Sequence, residues 1–304
     1  MRVFITGASG HVGSAVVPEL VSAGHEVVGL ARSDQSADKV KALGVEVRRG
    51  DLDDLDGLRE AASAADGVIH LAFKHEAMMS GDYEGAIRDD LVVVRAFGEA
   101  LAGTGKPLVT TAGTLMVAMS GMGRLGTEDD VLDSGPRVES ENTVIGFAER
   151  GVRSSVLRLP PTVHGPMDHH GFIPILIGIA RAKGVSGYVG DGANQWPAAQ
   201  TPDVARLYRL ALESAPAGSR LNAVADEGVP FRRIAEAIGR RLGVPVAAIA
   251  DEDVPEHFGF LAPMVVLGNP TSSARTRKLL DWTPERPDLL TDLELDHYFA
   301  TAAV

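Results

Sequence analysis

The sequence predicts an α/β protein with a doubly wound parallel sheet and a smaller, interleaved C-terminal lobe. In the first half, short runs rich in β-branched residues alternate with segments of helical periodicity, as in repeated βα units. A glycine-rich turn at residues 7–13 joins the first such run to the first helical segment. From Pro160 the regular alternation stops, and prolines and glycines become frequent. We therefore expect a sheet domain at residues 1–160. Residues 161–304 are expected to form mainly the smaller lobe, with some segments returning to the sheet.

The individual elements follow from these patterns in chain order. Parallel strands joined by helices give right-handed crossovers, with helices on both faces of the sheet and ligands at the carboxyl ends of the strands. The predicted strands are Val3–Thr6, Glu26–Leu30, Val45–Arg49, Gly67–Ala72, Pro107–Thr111 and Arg153–Leu159. The predicted helices are Val12–Val21, Ala37–Leu43, Leu55–Ala64, Tyr83–Ala102, Arg137–Glu149, Ile173–Ala182, Asp203–Glu213 and Phe231–Leu242, with shorter elements up to Leu290–Ala300.

Composition restricts the kinds of partner. The chain has 304 residues, with 41 acidic and 29 basic side chains and a net charge of −12, which argues against nucleic acid or an anionic membrane as a partner. No apolar run is long enough to span a bilayer, and the N-terminus is strand-like rather than a cleavable leader. The absence of cysteine excludes disulfides, thiolate metal sites and a cysteine nucleophile. We expect a cytoplasmic monomer or homodimer that acts on a small molecule.

The glycine turn predicts an anion site. Gly7, Gly10 and Gly13 have the spacing G-x-x-G-x-x-G between a strand and a helix. Backbone N–H groups and the helix dipole at such a turn favour a diphosphate, which glycines allow to touch the backbone. The alternative is a glycine-rich turn that only closes a βα unit.

Several motifs together resemble the extended short-chain dehydrogenase/reductases of the sugar-nucleotide epimerase type. This resemblance implies a Rossmann-type fold with Asp51 and Leu52 beside the adenine, Ala72 near the phosphates, and the stretch around Pro160–Val163 facing the nicotinamide. The motifs are Thr6-Gly-Ala-Ser-Gly-His-Val-Gly13, Gly50-Asp-Leu52, His70-Leu-Ala72, Leu157-Arg-Leu-Pro-Pro-Thr-Val-His-Gly-Pro166, Thr201-Pro-Asp-Val-Ala205, Phe231–Pro245 and Ser273–Pro284. The predicted cofactor-binding residues are Gly7, Ser9, Gly10, His11, Val12, Gly13, Arg32, Ser33, Asp51, Leu52, Leu71, Ala72, Thr110, Leu159, Pro160 and Val163. For Leu71, Leu159 and Val163, packing in the core is an equal alternative.

The residues after the second predicted strand indicate NADP(H). Enzymes of this type that use NAD carry an acid there for the ribose hydroxyls. This sequence has Ala31 at that position, followed by Arg32 and Ser33, and Asp34 lies past the strand end. A guanidinium and a hydroxyl suit a 2′-phosphate. A solvated loop charge is the alternative interpretation of Arg32.

The catalytic Tyr-x-x-x-Lys pair of the family is missing. With Ser140 matched to the serine that commonly precedes the family's lysine, Arg137 stands at the tyrosine position and Glu141 at the lysine position. None of the four tyrosines, at positions 83, 188, 208 and 298, has a lysine four residues later. The chain thus resembles the atypical subgroup, which keeps the glycine motif without the pair.

Other residues are candidates for the chemistry. Arg137 could polarise a carbonyl with Glu141 paired one turn on, although an ordinary surface pair is an equal alternative. Thr111 lies at the end of the fifth strand, where the family keeps a hydroxyl. His164 has a side chain suited to proton transfer, although a lone loop histidine is more often solvated or structural. The predicted catalytic residues are therefore His164, Arg137, Glu141 and Thr111.

A second set of residues is expected to line the substrate pocket. His75 and Thr114 follow strands, and the histidines near His164 share one loop. Trp196 could form an apolar wall or simply pack in the core. The predicted substrate-binding residues are His75, Thr114, Met116, His164, His170 and Trp196. A metal bound by His164, Asp168, His169 and His170 is disfavoured because these residues have no helical register, and no metal site is predicted.

These features predict an NADP(H)-dependent oxidoreductase of the atypical short-chain type. A ketoreductase acting on a small or aromatic organic ketone is the favoured activity. A sugar-nucleotide epimerase or dehydratase-like enzyme is one alternative, weakened by the missing tyrosine. A non-catalytic, NADP-binding redox sensor is the other.

Overall fold

The computed structural model describes residues 1–75, 77, 80–121 and 123–300. The strands are β1 Arg2–Thr6, β2 Glu26–Ala31, β3 Glu46–Arg49, β4 Gly67–His70, β5 Pro107–Gly113, β6 Arg153–Leu159, β7 Thr162–His164, β8 Ser186–Val189, β9 Gln195–Gln200, β10 Ser219–Asn222, β11 Asp226–Pro230 and β12 Val246–Ile249. The helices are α1 Gly13–Ser22, α2 Asp34–Ala42, α3 Leu55–Ala64, α4 Tyr83–Leu101, α5 Leu115–Met119, α6 Val138–Gly146, α7 Phe172–Lys183, α8 Thr201–Ser214, α9 Phe231–Leu242, α10 Val254–Phe258, α11 Ala262–Val265, α12 Ala274–Leu280 and α13 Leu289–Asp292. Short 3₁₀ helices lie at Phe147–Arg150, Asp251–Asp253, Gly259–Leu261 and Asp296–Tyr298.

A parallel sheet with helices on both faces forms the centre of the molecule, which confirms the predicted fold class. Within the described residues it has seven strands in the order β10-β6-β5-β4-β1-β2-β3. The chain proceeds from β1 to β2 on one side and reaches β4 on the other, so the strand order reverses between β1 and β4. Ligands bind at such a switch point, beyond the carboxyl ends of the strands.

The two faces of the sheet bury separate apolar layers. On one face, Val17 and Leu20 of α1 and Leu207 of α8 form a core with the alternate residues of the strands. On the other face, Leu58 of α3 and Phe97 of α4 fill the equivalent space. Burial on both sides explains why the central strands β1, β2 and β4 are mostly apolar in the sequence.

The C-terminal half supplies elements to both parts of the molecule. A small sheet with the order β11-β9-β7 and a β12-β8 pair form a second core around Trp196, Phe231 and Phe258. In contrast, β10 pairs in parallel with β6, and α8 packs against α1.

Element bounds differ from the predictions mainly where the site is formed. The fourth strand ends at His70 rather than Ala72, and the next residue, Leu71, donates its N–H to the Thr6 carbonyl at 3.2 Å. The fifth strand continues to Gly113, paired with β6. Arg137, the predicted start of a helix, instead precedes α6 with a left-handed φ of 61°.

The helices among the described residues include none that is long and apolar enough to cross a membrane.

Candidate cofactor and active site

The glycine turn is closely packed at two positions and open at the third. Gly7 has a φ of +73°, and a Cβ there would lie 2.7 Å from the Ala72 nitrogen. A Cβ on Gly13 would lie 2.0 Å from the Gly7 carbonyl oxygen. Gly10 is exposed, and its Cβ would meet only the Gly7 oxygen, at 3.3 Å. The open side of the turn therefore has the shape that a diphosphate against the backbone requires, so these residues fit a dinucleotide.

The side chain of His11 joins this turn to the smaller lobe. Thr201 Oγ1 donates to the His164 carbonyl at 2.9 Å, so His11 Nε2 is the donor in its 2.7 Å hydrogen bond with Thr201. Burial, with His169 and His164 nearby, lowers the pKa of His11 to about 4. The imidazole is therefore neutral near pH 7 and fixed toward Thr201. Because the imidazole is used within the protein, the predicted cofactor contact of His11 would come from its backbone N–H.

Two arginines flank the paired ends of β2 and β3. Arg32 is exposed directly after β2, as the NADP(H) prediction requires. Ser33 is also exposed, and its hydroxyl caps α2 by accepting from the Ser36 N–H at 3.2 Å. Arg49, which sequence reasoning missed, lies at the end of β3 and forms a 3.1 Å ion pair with Asp34. Its position before the Gly50-Asp-Leu52 motif is the signal that could have identified it.

The predicted adenine and phosphate residues lie along the same edge of the sheet. Asp51 is exposed and accepts from the Asp53 N–H at 2.7 Å, whereas Leu52 packs against the α3 side of the core. Ala72 abuts Gly7 and donates its N–H to Thr6 Oγ1 at 3.2 Å. Leu71, Leu159 and Val163 are half-buried against the main core, and Pro160 and Thr110 are buried.

The hydroxyl of Thr111 is hydrogen-bonded within the protein, and its catalytic role stays a prediction. Thr111 Oγ1 donates to the His70 carbonyl at 2.9 Å, and the buried Tyr208 hydroxyl lies 2.7 Å from the same oxygen. Because the Thr111 proton is committed, Tyr208 donates in the second bond. Burial also raises the pKa of Tyr208 well above its ordinary value.

Arg137 is held by contacts on several sides. Its Nη2 donates to Asp90 Oδ1 at 3.0 Å and to the Thr111 carbonyl at 2.7 Å. Its guanidinium carbon lies 4.5 Å from the ring centre of Phe73, a cation–π distance. The left-handed backbone is unusual for a residue other than glycine and is typical of positions where function requires strain. These contacts place Arg137 beside the carboxyl ends of β4 and β5.

Asp90 connects this arginine to the first strand. Burial alone would raise the pKa of Asp90. The Arg137 charge and neighbouring hydrogen bonds outweigh this effect and lower the pKa to about 2. His70 Nε2 lies 3.6 Å from Asp90 Oδ1, and His70 Nδ1 lies 2.7 Å from Thr6 Oγ1. Sequence reasoning missed Asp90, although it falls within the apolar stripe of α4. The other members of this stripe are Ala86, Val93, Phe97 and Leu101.

Glu141 does not pair with Arg137, so the pairing on which its predicted catalytic role depended is wrong. It is buried, and its two oxygens accept from Arg158 at 2.9 and 2.5 Å. Arg220 donates to it at 2.7 Å. Two guanidinium groups from β6 and β10 thus enclose the carboxylate, which stays away from the Arg137 side.

His164 is also misassigned, both as proton donor and as substrate contact. Its residue is fully buried in β7, and Nδ1 lies 2.9 Å from Asp292 Oδ2. Gln200 donates to the other oxygen of Asp292 at 3.0 Å. A histidine without exposed surface does not reach a ligand, so the pair joins β7 to α13 structurally.

The remaining predicted substrate residues are divided between core and surface. Trp196 is fully buried between Phe172 and Phe231, which settles its role as packing and contradicts a pocket wall. Met116 is buried as well, and Thr114 is fully buried and accepts from Asn269 at 2.7 Å, so neither forms an exposed lining. The other two members of the predicted set, His75 and His170, are exposed.

No described group of three or more histidine, aspartate or glutamate side chains is arranged to hold a metal ion.

The glycine turn at the switch point of a parallel sheet defines a dinucleotide-binding α/β protein. Residues 3–223 match the model of the NAD dependent epimerase/dehydratase family, and the chain belongs to that family.

The chain is also similar to individual proteins and to solved structures. The chain is 48% identical over 301 residues to an uncharacterized protein of Schizosaccharomyces pombe, covering 98% of this chain and all of that protein. It is 29% identical over 258 residues to the 2-alkyl-3-oxoalkanoate reductase of Stenotrophomonas maltophilia, covering 81% of this chain and 77% of the reductase. Its fold is similar to that of UDP-glucose 4-epimerase from Thermotoga maritima, with a TM-score of 0.75, 17% identity and 98% of each chain covered.

Proposed function

We propose that this protein is an NADP(H)-dependent ketone reductase in which Arg137 replaces the family's tyrosine. The observation that carries the cofactor assignment is the β2 edge, where Arg32 and Ser33 follow Ala31, and where Asp34, past the strand end, is ion-paired with Arg49. A 2′-phosphate is recognised by a guanidinium and hydroxyl at this edge, whereas a carboxylate there favours NAD.

The cofactor supplies a hydride when it is bound. The residues of the chain have two tasks, to bind it and to stabilise charge on the substrate. The turn at Gly7–Gly13 holds the diphosphate against backbone N–H groups. Arg137 then donates a hydrogen bond to the substrate oxygen as negative charge develops on it. An arginine remains protonated and does not release the proton that completes an alcohol, so water supplies that proton.

The ion pair with Asp90 favours a neutral ketone as the substrate. Asp90 is ionised at neutral pH, so it balances the charge of Arg137 in a largely buried site. The carboxylate of an oxo acid would lie near Asp90 as well as Arg137, and Asp90 would repel it. A ketone oxygen acquires charge only during reduction, when a fixed guanidinium is most useful. The Stenotrophomonas relative is named as a reductase of a 2-alkyl-3-oxoalkanoate, itself an oxo acid, so it supports carbonyl reduction as the type of reaction and not the neutral substrate.

The alternative of sugar-nucleotide epimerisation is weakened because no tyrosine of the chain has the family's lysine four residues later. Tyr208 and Tyr298 are buried and hydrogen-bonded inside the protein. Tyr188 belongs to β8. Tyr83 begins α4 near Arg137, and burial raises its pKa although the Arg137 charge acts in the opposite direction, so it is a poor base at neutral pH. A redox sensor remains the non-catalytic alternative, and it requires cofactor binding without turnover.

Hydride transfer to ketones tests the proposal. Purified protein is mixed with NADPH and a panel of aliphatic, aromatic and dicarbonyl compounds, and NADPH absorbance is followed together with alcohol formation. In parallel, UDP-glucose is incubated with the protein and NAD, and the sugar is analysed for epimerisation. The proposal predicts stoichiometric NADPH consumption and alcohol formation with at least one ketone. Epimerised sugar without ketone reduction would favour the family's usual reaction, and tight NADPH binding without either reaction would favour a sensor.

Arg95 provides a matched control for Arg137. Arg95 lies in α4, as Asp90 does, and it forms an arginine–acid pair with α6, donating to Glu139 at 2.7 Å on the surface. Arg137→Ala should reduce ketone turnover by about 10²-fold, while Arg95→Ala should leave it unchanged. Equal effects of the two substitutions would show that Arg137 matters only for joining the helices.

A further inference from the structure

We propose that Arg49 is a second guanidinium for the 2′-phosphate of NADP(H), held at the strand edge by Asp34. This inference rests on the proposed NADP(H) specificity and identifies a residue that determines it. Sequence reasoning considered only Arg32, because Arg49 is distant from it in the chain. The pairing of β2 with β3 brings the two positions to one edge.

The register of the strands establishes this neighbourhood. Ala31 and Arg49 are Cα partners in the parallel β2–β3 pair. The Gly50 N–H then donates to the Ala31 carbonyl at 3.2 Å, so the strands leave the sheet side by side. Arg32 directly follows β2, and Arg49 is the last residue of β3. Both lie at the carboxyl edge on the same side of the sheet as the glycine turn.

Side-chain direction separates Arg49 from the adjacent arginine. Successive residues of a strand point to opposite faces, so Arg49 shares the face of Val47, which packs on the α1 and α2 side. There its Nη2 lies 3.1 Å from Asp34 Oδ1, at the first residue of α2. Arg48 points to the other face and bonds Glu60 of α3 at 2.6 Å. The chain therefore contains a matched control one residue away.

The ion pair also explains how Asp34 is compatible with a phosphate. An isolated carboxylate beside Arg32 would repel a 2′-phosphate dianion and would favour the ribose hydroxyls of NAD. Arg49 balances the charge of Asp34 while half of its own side chain remains exposed. An exposed pair of this kind contributes little to folding. Its guanidinium has further N–H donors with which to bind the phosphate.

Adenosine 2′,5′-bisphosphate and adenosine 5′-monophosphate are the probes that isolate this contact. Binding of each to the full-length protein is measured by calorimetry, with NADPH and NADH as complete cofactors. Arg49→Ala should weaken the bisphosphate and NADPH by about tenfold, the loss of one charge-assisted hydrogen bond. It should change the monophosphate and NADH by less than about twofold, and Arg48→Ala should change none of the four.

Asp34→Asn separates the two possible roles of the carboxylate. Removal of the carboxylate frees the Arg49 guanidinium and takes away a negative charge that opposes the 2′-phosphate, so bisphosphate binding should be unchanged or tighter. The Arg49→Ala loss should persist in the Asp34→Asn background. A loss of about tenfold in monophosphate and NADH binding by Asp34→Asn would identify Asp34 as a ribose ligand and overturn the proposal.

The result for Arg32 distinguishes failure of this inference from failure of the proposed function. If Arg32→Ala weakens NADPH selectively and Arg49→Ala does not, the NADP(H) assignment stands and the role of Arg49 is overturned. If the parent protein binds bisphosphate and monophosphate equally, the NADP(H) assignment itself is wrong, and the inference is overturned with it.

Discussion

The carboxylate of Asp90 and the guanidinium of Arg137 form an ion pair of 3.0 Å beside the carboxyl ends of β4 and β5. The Asp90 side chain is only 2% exposed and that of Arg137 18% exposed. The pair comes from α4 and from the residue before α6, so it fixes a positive charge where two helices meet the ligand edge. Water screens it much less than a surface pair, and its removal should therefore have measurable consequences.

Asp90→Asn should destabilise the protein by about 2–4 kcal/mol at pH 7, because it leaves the Arg137 charge without its partner. Chemical unfolding in urea measures the difference from the parent. The folded-state pKa of Asp90, about 2, lies below its ordinary value of 3.8. Its charge therefore stabilises the folded protein above pH 4, and this contribution is lost as the pH falls from 4 to 2. The difference between parent and variant should shrink over the same interval.

The surface pair of Arg95 and Glu139 provides the control for that measurement. Arg95→Ala should change the free energy of unfolding by less than about 1 kcal/mol. If Asp90→Asn is as mild as Arg95→Ala at pH 7, the buried pair does not hold Arg137 as described.

Arg137 should give ketone reduction a nearly flat pH profile between pH 6 and 8. A guanidinium does not titrate in this range, whereas a histidine acid would make the rate fall as the pH rises through its pKa. Initial rates at saturating NADPH measure the profile. Arg137→Lys keeps the charge but loses the planar contact with Phe73, so its rate should lie between those of the parent and Arg137→Ala. A parental rate that titrates with a single pKa near 6.5 would contradict a fixed charge as the main catalyst.

His164→Ala should lower stability rather than rate. The substitution opens a cavity and removes the hydrogen bond to the buried Asp292, at a cost of about 2–3 kcal/mol. Unfolding curves and turnover at a temperature where the variant is fully folded separate the two effects. A folded variant that loses about 10²-fold in turnover would restore His164 as the proton donor.

Gly10→Val should abolish cofactor binding without unfolding the protein. Its side chain would occupy the open side of the glycine turn, where the diphosphate must touch the backbone. The control is Gly178→Ala in α7, where a Cβ meets nothing within 4 Å. Circular dichroism and an NADPH titration distinguish folding from binding. Parental affinity in the Gly10→Val variant would show that the turn is only structural.

Local patterns predicted much of the sheet domain. The third helix, Leu55–Ala64, and the sixth strand, Arg153–Leu159, have the predicted bounds. The helix buries Leu58, Ala61 and Ala62 on one face, and the strand is buried from Ser154 to Arg158, so both elements could be predicted from neighbouring residues in the chain. The glycine turn was predictable for the same reason, since its strand, turn and helix are consecutive.

The active-site contacts depend on pairs that local sequence does not specify. The i,i+4 spacing predicted Glu141 as the partner of Arg137. In the structure Glu141 instead pairs with Arg158 of β6 and Arg220 of β10, which come later in the chain. His164 is buried in β7, within a small pair of parallel strands, and therefore lies outside the site. A strand of three residues has too little sequence pattern to be predicted. Asp90 could have been noticed in the sequence, because it is an acidic residue in the apolar stripe of a helix. Its partner, Arg137, could be identified only from the three-dimensional structure.

The most direct test of the central claim is a comparison of NADPH and NADH affinity in the parent protein and in Arg32→Ala. Fluorescence titration of both cofactors should show that the parent prefers NADPH. Arg32→Ala should weaken NADPH by about 10-fold to 10²-fold, corresponding to about 1.5–3 kcal/mol for a charge-assisted contact, and should leave NADH nearly unchanged. Equal affinity of the parent for NADPH and NADH would contradict the proposed NADP(H) dependence.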